Sequence, residues 1–146
     1  MECVRYSGQD LKEICEIESH SFSDPWSEQT FSMIADTENC LFLVLKENKR
    51  VIGYTLVSSV ADEAEVLNVA IHKDFRRRGL ARRLLEEAFA TVDNAGVKKV
   101  YLEVRESNCA ARSLYRSLGF ESCAIRRSYY RNPTENAVIM CKSTEL

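Results

Sequence analysis

Proline and glycine are scarce in this chain, two and five among 146 residues, and no stretch gathers them with serine into a linker. A collagen-like repeat, a low-complexity tract and a flexible joint between two domains are excluded together. Histidine is scarcer than glycine, with only His20 and His72, and none of the six cysteines forms a CxxC pair. No metal site is expected, because close-spaced ligands are lacking. There is no basic excess either: 20 Lys and Arg stand against 22 Asp and Glu, for a net charge of -2. Broad affinity for nucleic acid or anionic lipid needs the opposite balance, so any basic site has to be local. No apolar stretch approaches the roughly 20 residues of a membrane span, and no apolar signal segment follows Met1. The thiols are therefore read as reduced and the chain as cytoplasmic.

What is present is ordinary globular material, 45% apolar and 29% charged. Residues 1–146 are expected to form one domain, large enough to bury a core without a disulfide or a metal. Glu2 to Tyr6 reads as a first strand, and Asp10 with Glu13 as a capping box that opens a helix ending near His20. Ser21 to Trp26 is a loop, after which Ser27 caps a second helix through Phe31 and Ile34. Leu41–Leu45 and Val51–Val57 form an antiparallel pair of strands, and Ala64–Ile71 is a third, central strand expected to be buried on both faces. From Leu80 the apolar period is helical up to the stop at Gly96. A strand over Val100–Val104, a helix over Asn108–Leu118 closed by Gly119, and strands Phe120–Ile125 and Ala137–Cys141 complete the chain. The order βααβββαβαββ predicts an α/β fold with a mixed, mostly antiparallel sheet of six to seven strands flanked by four helices.

One segment asks for an anion. Arg76-Arg77-Arg78-Gly79-Leu80-Ala81 sits between the buried strand and the start of the strongest helix, where backbone N–H groups have no partner within the helix. The helix dipole favours negative charge there, Gly79 lets backbone approach it, and the guanidiniums add charge-assisted bonds. A diphosphate fits; so does a solvated basic turn or a local nucleic-acid patch. It is neither a P-loop nor a dinucleotide fingerprint, since Gly-Lys-Ser/Thr and GxGxxG are both absent. Two residues have the character of an acid–base pair. Glu103 ends a core strand between Leu102 and Val104, where it is either a general base or one half of an ion pair with Arg105 or another arginine. Tyr115 shares a helix face with Ala111 and Leu118, as a proton donor or as a core tyrosine.

Arg76-x-x-Gly79-x-Ala81 resembles the acetyl-coenzyme A signature of the GNAT superfamily. Phe22 to Trp26, Glu65 to Ile71, Leu102-Glu103-Val104-Arg105 with Ser107-Asn108, Leu114 to Phe120, and Ile125 to Tyr130 are similar to one branch of it. That branch is the bacterial ribosomal-protein alanine N-acetyltransferases. The resemblance, which runs along nearly the whole chain, implies the GNAT fold and acetyl transfer from acetyl-coenzyme A, without a metal, to an N-terminal α-amine. The acceptor it implies is the N-terminal alanine of a small-subunit ribosomal protein; a monomer is expected, and the charge and the absence of an apolar span predict contact with neither nucleic acid nor membrane.

Residue by residue, the resemblance implies that Val69, Ala70 and Ile71 hold the pantetheine arm through their backbone. Arg76, Arg77, Arg78, Gly79, Leu80, Ala81 and Arg82 would hold the pyrophosphate. Asn108 would complete the cofactor contacts, although an N-cap explains it equally well. Glu103 would be the base and Tyr115 the acid, with Phe22, Trp26, Tyr129 and Tyr130 flanking the acceptor. The tyrosines are placed between the last two strands. Two features depart from the family pattern: Arg131-Asn132 intervene before Pro133, and His72-Lys73 replace a common Asp-Pro. Cys109, where a small apolar residue is usual, is a candidate for a mixed disulfide with coenzyme A. A magnitude favours the α-amine acceptor class without excluding a lysine side chain or small amine: an α-amine ionises about 2.5 units below a lysine, about 3.5 kcal/mol of easier deprotonation for one carboxylate to supply.

Overall fold

The structure is a computed structural model that describes residues 1–144. In chain order the elements are β1 (Glu2–Arg5), α1 (Leu11–Ser21), α2 (Glu28–Ala35), β2 (Cys40–Glu47), β3 (Arg50–Val60), β4 (Glu63–Ile71), α3 (Leu80–Asn94), β5 (Lys99–Arg105), α4 (Cys109–Ser117), β6 (Glu121–Tyr130) and β7 (Glu135–Ser143), with short 3-10 turns at Gly8–Asp10 and Lys73–Phe75. The strands form one seven-stranded sheet in the order β1-β2-β3-β4-β5-β7-β6. All neighbours are antiparallel except β4 and β5, which the α3 crossover makes parallel. The expected element order and sheet type are those observed.

The sheet is apolar because both of its faces are covered. In β2, Leu41, Leu43 and Leu45 point to the layer of α3, while Phe42 and Val44 point to the layer of α1 and α2. Strand alternation sends successive residues to opposite layers, so a continuous apolar run is what a doubly covered strand needs. α3 buries Leu80, Leu84, Leu85, Ala88, Phe89 and Val92, one stripe at helical spacing. Each large side chain buried there contributes about 1.5–3 kcal/mol. Gly53 on β3 makes this layer possible, since a Cβ there would lie 2.5 Å from Ile71 Cδ1 and 3.2 Å from Leu84 Cδ1.

Three local expectations are corrected. The capping box lies one turn earlier: Asp10 is the N-cap of α1 as expected, but it makes no side-chain cap there, and its Oδ2 instead accepts from the Ser7 N–H at 3.0 Å to close the preceding 3-10 turn. Buried Asp10 is paired with Lys46 at 2.7 Å, a partner on β2 that local sequence does not reveal. Next, β4 is not buried on both faces throughout, because Glu63 and Glu65 are exposed at its start. Finally, β6 continues through Tyr129 and Tyr130, so the tyrosines end a strand instead of lying beyond it. An irregularity between Arg126 and Tyr130, with Ser128 at φ 52, lets the strand carry extra residues and still pair Tyr130 with Glu135.

Candidate active site

The parallel pair of strands is also where the sheet opens. β4 and β5 are paired from Glu63–Lys99 to Val66–Leu102. Beyond that point β4 runs on to Ile71 and β5 to Arg105 without a shared bond, and the two strands bound a cleft of about 680 Å³. Its walls carry Leu67, Asn68 and Val69 of β4, Glu103 and Arg105 of β5, Asn108 and Tyr115 of α4, Phe22 and Trp26 of the α1–α2 loop, and Tyr129 and Tyr130 of β6. A second cavity of about 680 Å³ lies beside it, and Glu65, Leu102 and Glu103 line both.

At the end of β4 the chain passes through Arg76–Arg78 into α3. Gly79 is the N-cap at φ 74, and with no side chain to cap the first turn it leaves the leading N–H groups open. A Cβ at Gly79 would have nothing within 4 Å, so positive φ, not crowding, is what calls for glycine there. Arg76 reaches back toward the core elements, with Nε donating to the Ile71 carbonyl at 3.1 Å and Nη2 to Ser21 Oγ at 3.1 Å. Arg78 lies 5.2 Å over the Phe75 ring, Arg77 is exposed at φ 64, and Arg82 bonds Glu86 and Ser117. Positive φ at Arg77 and again at Gly79, leading into an uncapped helix start, makes a concave run of backbone donors suited to a diphosphate. His72 caps the turn before it, its Nδ1 accepting from the Asp74 N–H at 3.1 Å, the local task an aspartate performs in a like turn.

Glu103 is paired with Arg126, not Arg105, at 3.3 Å, and its side chain is only 16% exposed. The Tyr129 phenol also bonds Glu103, and burial together with that bond pushes the phenol's pKa up. Beside it, burial and the charge of Glu103 push Glu65 up, partly offset by Arg126. Tyr115 is 7% exposed, and burial raises its phenol to about 12, so it carries its proton throughout the neutral range. Asn108 is the N-cap of α4, its Oδ1 accepting from the Ala111 N–H at 3.1 Å, and it lines the cleft as well.

The acceptor-side residues divide by exposure. Trp26 is anchored against Phe31 at 5.2 Å, whereas Phe22 is 39% exposed at the cleft rim. Tyr129 and Tyr130 meet edge to face at 5.0 Å, with Arg126 over the first ring and Arg105 over the second. Arg105 gives the intervening Arg131-Asn132 a physical role. Its guanidinium donates to the Arg131 carbonyl at 2.6 Å, the Pro133 carbonyl at 2.9 Å, Glu135 at 3.3 Å and Ser23 Oγ at 3.2 Å. One side chain thereby ties the β6–β7 turn to the α1–α2 loop across the cleft.

Two further residues of the cleft, Glu18 and Asn68, gave little signal in the sequence. Glu18 is 1% exposed and accepts from the Trp26 N–H at 3.0 Å, from Tyr54 Oη at 2.5 Å and from Asn68 Nδ2 at 2.7 Å. The position of Glu18 next to Ile17, on the buried side of α1, was the available clue: a carboxylate placed there demands partners. Cys109 is exposed at the start of α4. Among the described residues no three His, Cys, Asp or Glu are grouped to hold a metal ion, and no helix is long and apolar enough to cross a membrane.

Residues 11–120 match the model of the acetyltransferase (GNAT) family. Over 138 residues, 92% of this chain and 91% of the relative, the sequence is 43% identical to the ribosomal protein bS18-alanine N-acetyltransferase of Salmonella typhimurium strain LT2. The crystal structure of the ribosomal-protein-S18-alanine N-acetyltransferase from Escherichia coli superposes with a TM-score of 0.92 at 36% identity, covering 99% of this chain and 94% of that one. The PaiA N-acetyltransferase of Thermoplasma acidophilum, solved in complex with coenzyme A, shares the fold at a TM-score of 0.80 and 19% identity, with 97% and 98% of the chains covered.

Proposed function

The chain belongs to the acetyltransferase (GNAT) family, and we propose that it transfers an acetyl group from acetyl-coenzyme A directly to the N-terminal α-amine of a protein, the N-terminal alanine of a small-subunit ribosomal protein. The observation that carries this reading is the cleft between β4 and β5, which brings Glu103, Tyr115, Asn108 and the β4 backbone to one space. Acetyl-coenzyme A supplies an activated carbonyl and a thiolate leaving group. Val69, Ala70 and Ile71 hold its arm; Arg76 to Arg82, with Gly79, Leu80 and Ala81, hold its pyrophosphate; Asn108 adds the last contact.

On the protein's side the chemistry is a relay of protons. Glu103, oriented by Arg126 and Tyr129, takes the proton of the attacking amine. Tyr115 keeps its proton at neutral pH, in place for the departing sulfur. The acceptor's first residues lie between Phe22 and Trp26 on one side and Tyr129 and Tyr130 on the other. The whole chain works as one catalytic domain, a monomer in the cytoplasm, and its partner is the protein substrate rather than nucleic acid.

Mass spectrometry of a peptide with a free N-terminal alanine, incubated with acetyl-coenzyme A and the protein, tests this. One acetyl group on the α-amine is expected, reduced about 10²–10⁴-fold in rate by Glu103→Gln and by Tyr115→Phe. Acetylation of an α-blocked lysine peptide instead would move the acceptor to lysine side chains. A protein that binds no coenzyme A, but binds RNA with steep salt dependence, would replace the reading altogether.

A further inference from the structure

The ladder between β3 and β4 dictates which β4 amides face the cleft. The His72 N–H donates to the Ile52 carbonyl at 2.7 Å, and Tyr54 stands opposite Ala70 and Thr55 opposite Val69. In an antiparallel pair the bonded positions alternate, so Ala70 and Asn68 bond across to β3. Val69 and Ile71 therefore turn their N–H groups the other way, toward the gap that β5 leaves open. A strand amide facing such a gap is a donor without a ladder partner.

The structure provides Val69 with a substitute. Asn68 Oδ1, from the preceding residue, accepts the Val69 N–H at 3.0 Å. The same carboxamide is fixed at its other end, because Nδ2 donates to Glu18 Oε1 at 2.7 Å. Glu18 in turn accepts from Tyr54 of β3 and from the backbone of Trp26 in the acceptor loop. Thus a chain of bonds runs from the acceptor-side loop through a buried carboxylate to the β4 amide that faces the reacting end of the cleft.

We propose that Asn68 is a placeholder. Its side-chain oxygen occupies the Val69 N–H while no acyl group is bound, and yields that donor to the carbonyl oxygen of the acetyl group when the donor substrate enters. Glu18 holds the resting position of Asn68 and couples it to the Trp26 loop. The exchange costs little, since one accepted bond replaces another and Asn68 keeps its bond to Glu18. It also narrows the gap between the two ligands: acetyl-coenzyme A has to displace the Asn68 oxygen whereas coenzyme A leaves it in place, and Asn68 takes the Val69 N–H back as product leaves. Both residues are positioning residues. The proposal rests on the acetyl-transfer reading of the site.

Calorimetry with coenzyme A and with acetyl-coenzyme A, in the absence of acceptor, separates the two. Asn68→Ala removes the competing oxygen, and the ratio of acetyl-coenzyme A to coenzyme A affinity is expected to rise about threefold to tenfold, the worth of one neutral hydrogen bond. Glu18→Gln is expected to move the ratio the same way by less. An unchanged or lowered ratio overturns the placeholder alone; failure of the native protein to bind either ligand overturns it together with the acetyl-transfer reading. The native protein carries a second readout, independent of any variant's folding, in its amide spectrum. The Val69 N–H and Asn68 side-chain signals are expected to differ between the coenzyme A and acetyl-coenzyme A complexes, and coincident signals in the two complexes sink the proposal.

Discussion

The two ends of the cleft are built from different materials. On the α3 side the segment proposed to take the pyrophosphate is made of backbone: an uncapped helix start, Gly79 at φ 74 and Arg77 at φ 64, resting on a helix whose apolar stripe from Leu80 to Val92 is buried. At the acceptor end the frame is made of side chains. Nine of the ten residues of β6 are exposed, and the last turn is held by the guanidinium of Arg105. Backbone donors are available from any residue that adopts the required φ and ψ, so one helix start serves one ligand class across many sequences. A side-chain frame is specific to its residues, which suits the end that must choose an acceptor.

The largest expected effect falls on the residue between the two ends, Tyr115. The unfolded chain ionises this phenol near the ordinary 10.0, the folded chain only near 12. As pH rises above the lower value the unfolded state releases its proton first, so stability present at neutral pH is lost across that window. The loss approaches about 3 kcal/mol, on the order of a hundredfold in the folding constant. Denaturant unfolding of the native protein and of Tyr115→Phe across the window checks it: the variant's curve should fall less steeply, and parallel curves would mean that Tyr115 is not held in the apolar layer.

Arg105→Ala tests the side-chain end. It frees two carbonyls, Glu135 and Ser23 at once, and kcat/KM for the acceptor peptide is expected to fall about 30-fold while the affinity for acetyl-coenzyme A is unchanged. An equal loss on both sides would show that the two ends are mechanically one. Gly79→Ala tests the backbone end with the smallest change. Space is available for the methyl group, so the cost is that of a left-handed residue, about 1–2 kcal/mol. Acetyl-coenzyme A affinity is expected to drop roughly 5-fold to 30-fold with the acceptor's KM unaltered, as titration calorimetry and steady-state kinetics would report.

The same division governs what could be read ahead of the structure. α3, the loop before it and the strand order were legible because each is written in local pattern: Leu80 to Val92 at helical spacing, Gly79 before them, apolar runs of strand length. Glu103 and Tyr115 were legible through the motifs around them, and the cleft places both on its walls. Arg105 was read only as a neighbour for Glu103, because its partners lie on the β6–β7 turn and the α1–α2 loop. The departure from the family pattern at Arg131-Asn132 lies in a turn that Arg105 binds through the Arg131 and Pro133 carbonyls. Glu18 and Asn68 left no motif of their own, since their link joins α1 to β4 beside Tyr54 of β3.

By itself the sequence determined the elements, their order, the apolar faces they bury and the basic, glycine-bearing entry to α3, because these depend on residues within a few turns or strand lengths of one another. The tertiary structure decided which guanidinium neutralises Glu103, which carboxylate is raised, which loops are tied together and which β4 amide is left facing the cleft. Those outcomes depend on side chains from separate elements meeting at a hydrogen-bond distance, and on one pair of parallel strands parting after Val66 and Leu102. Neither is fixed by spacing along the chain.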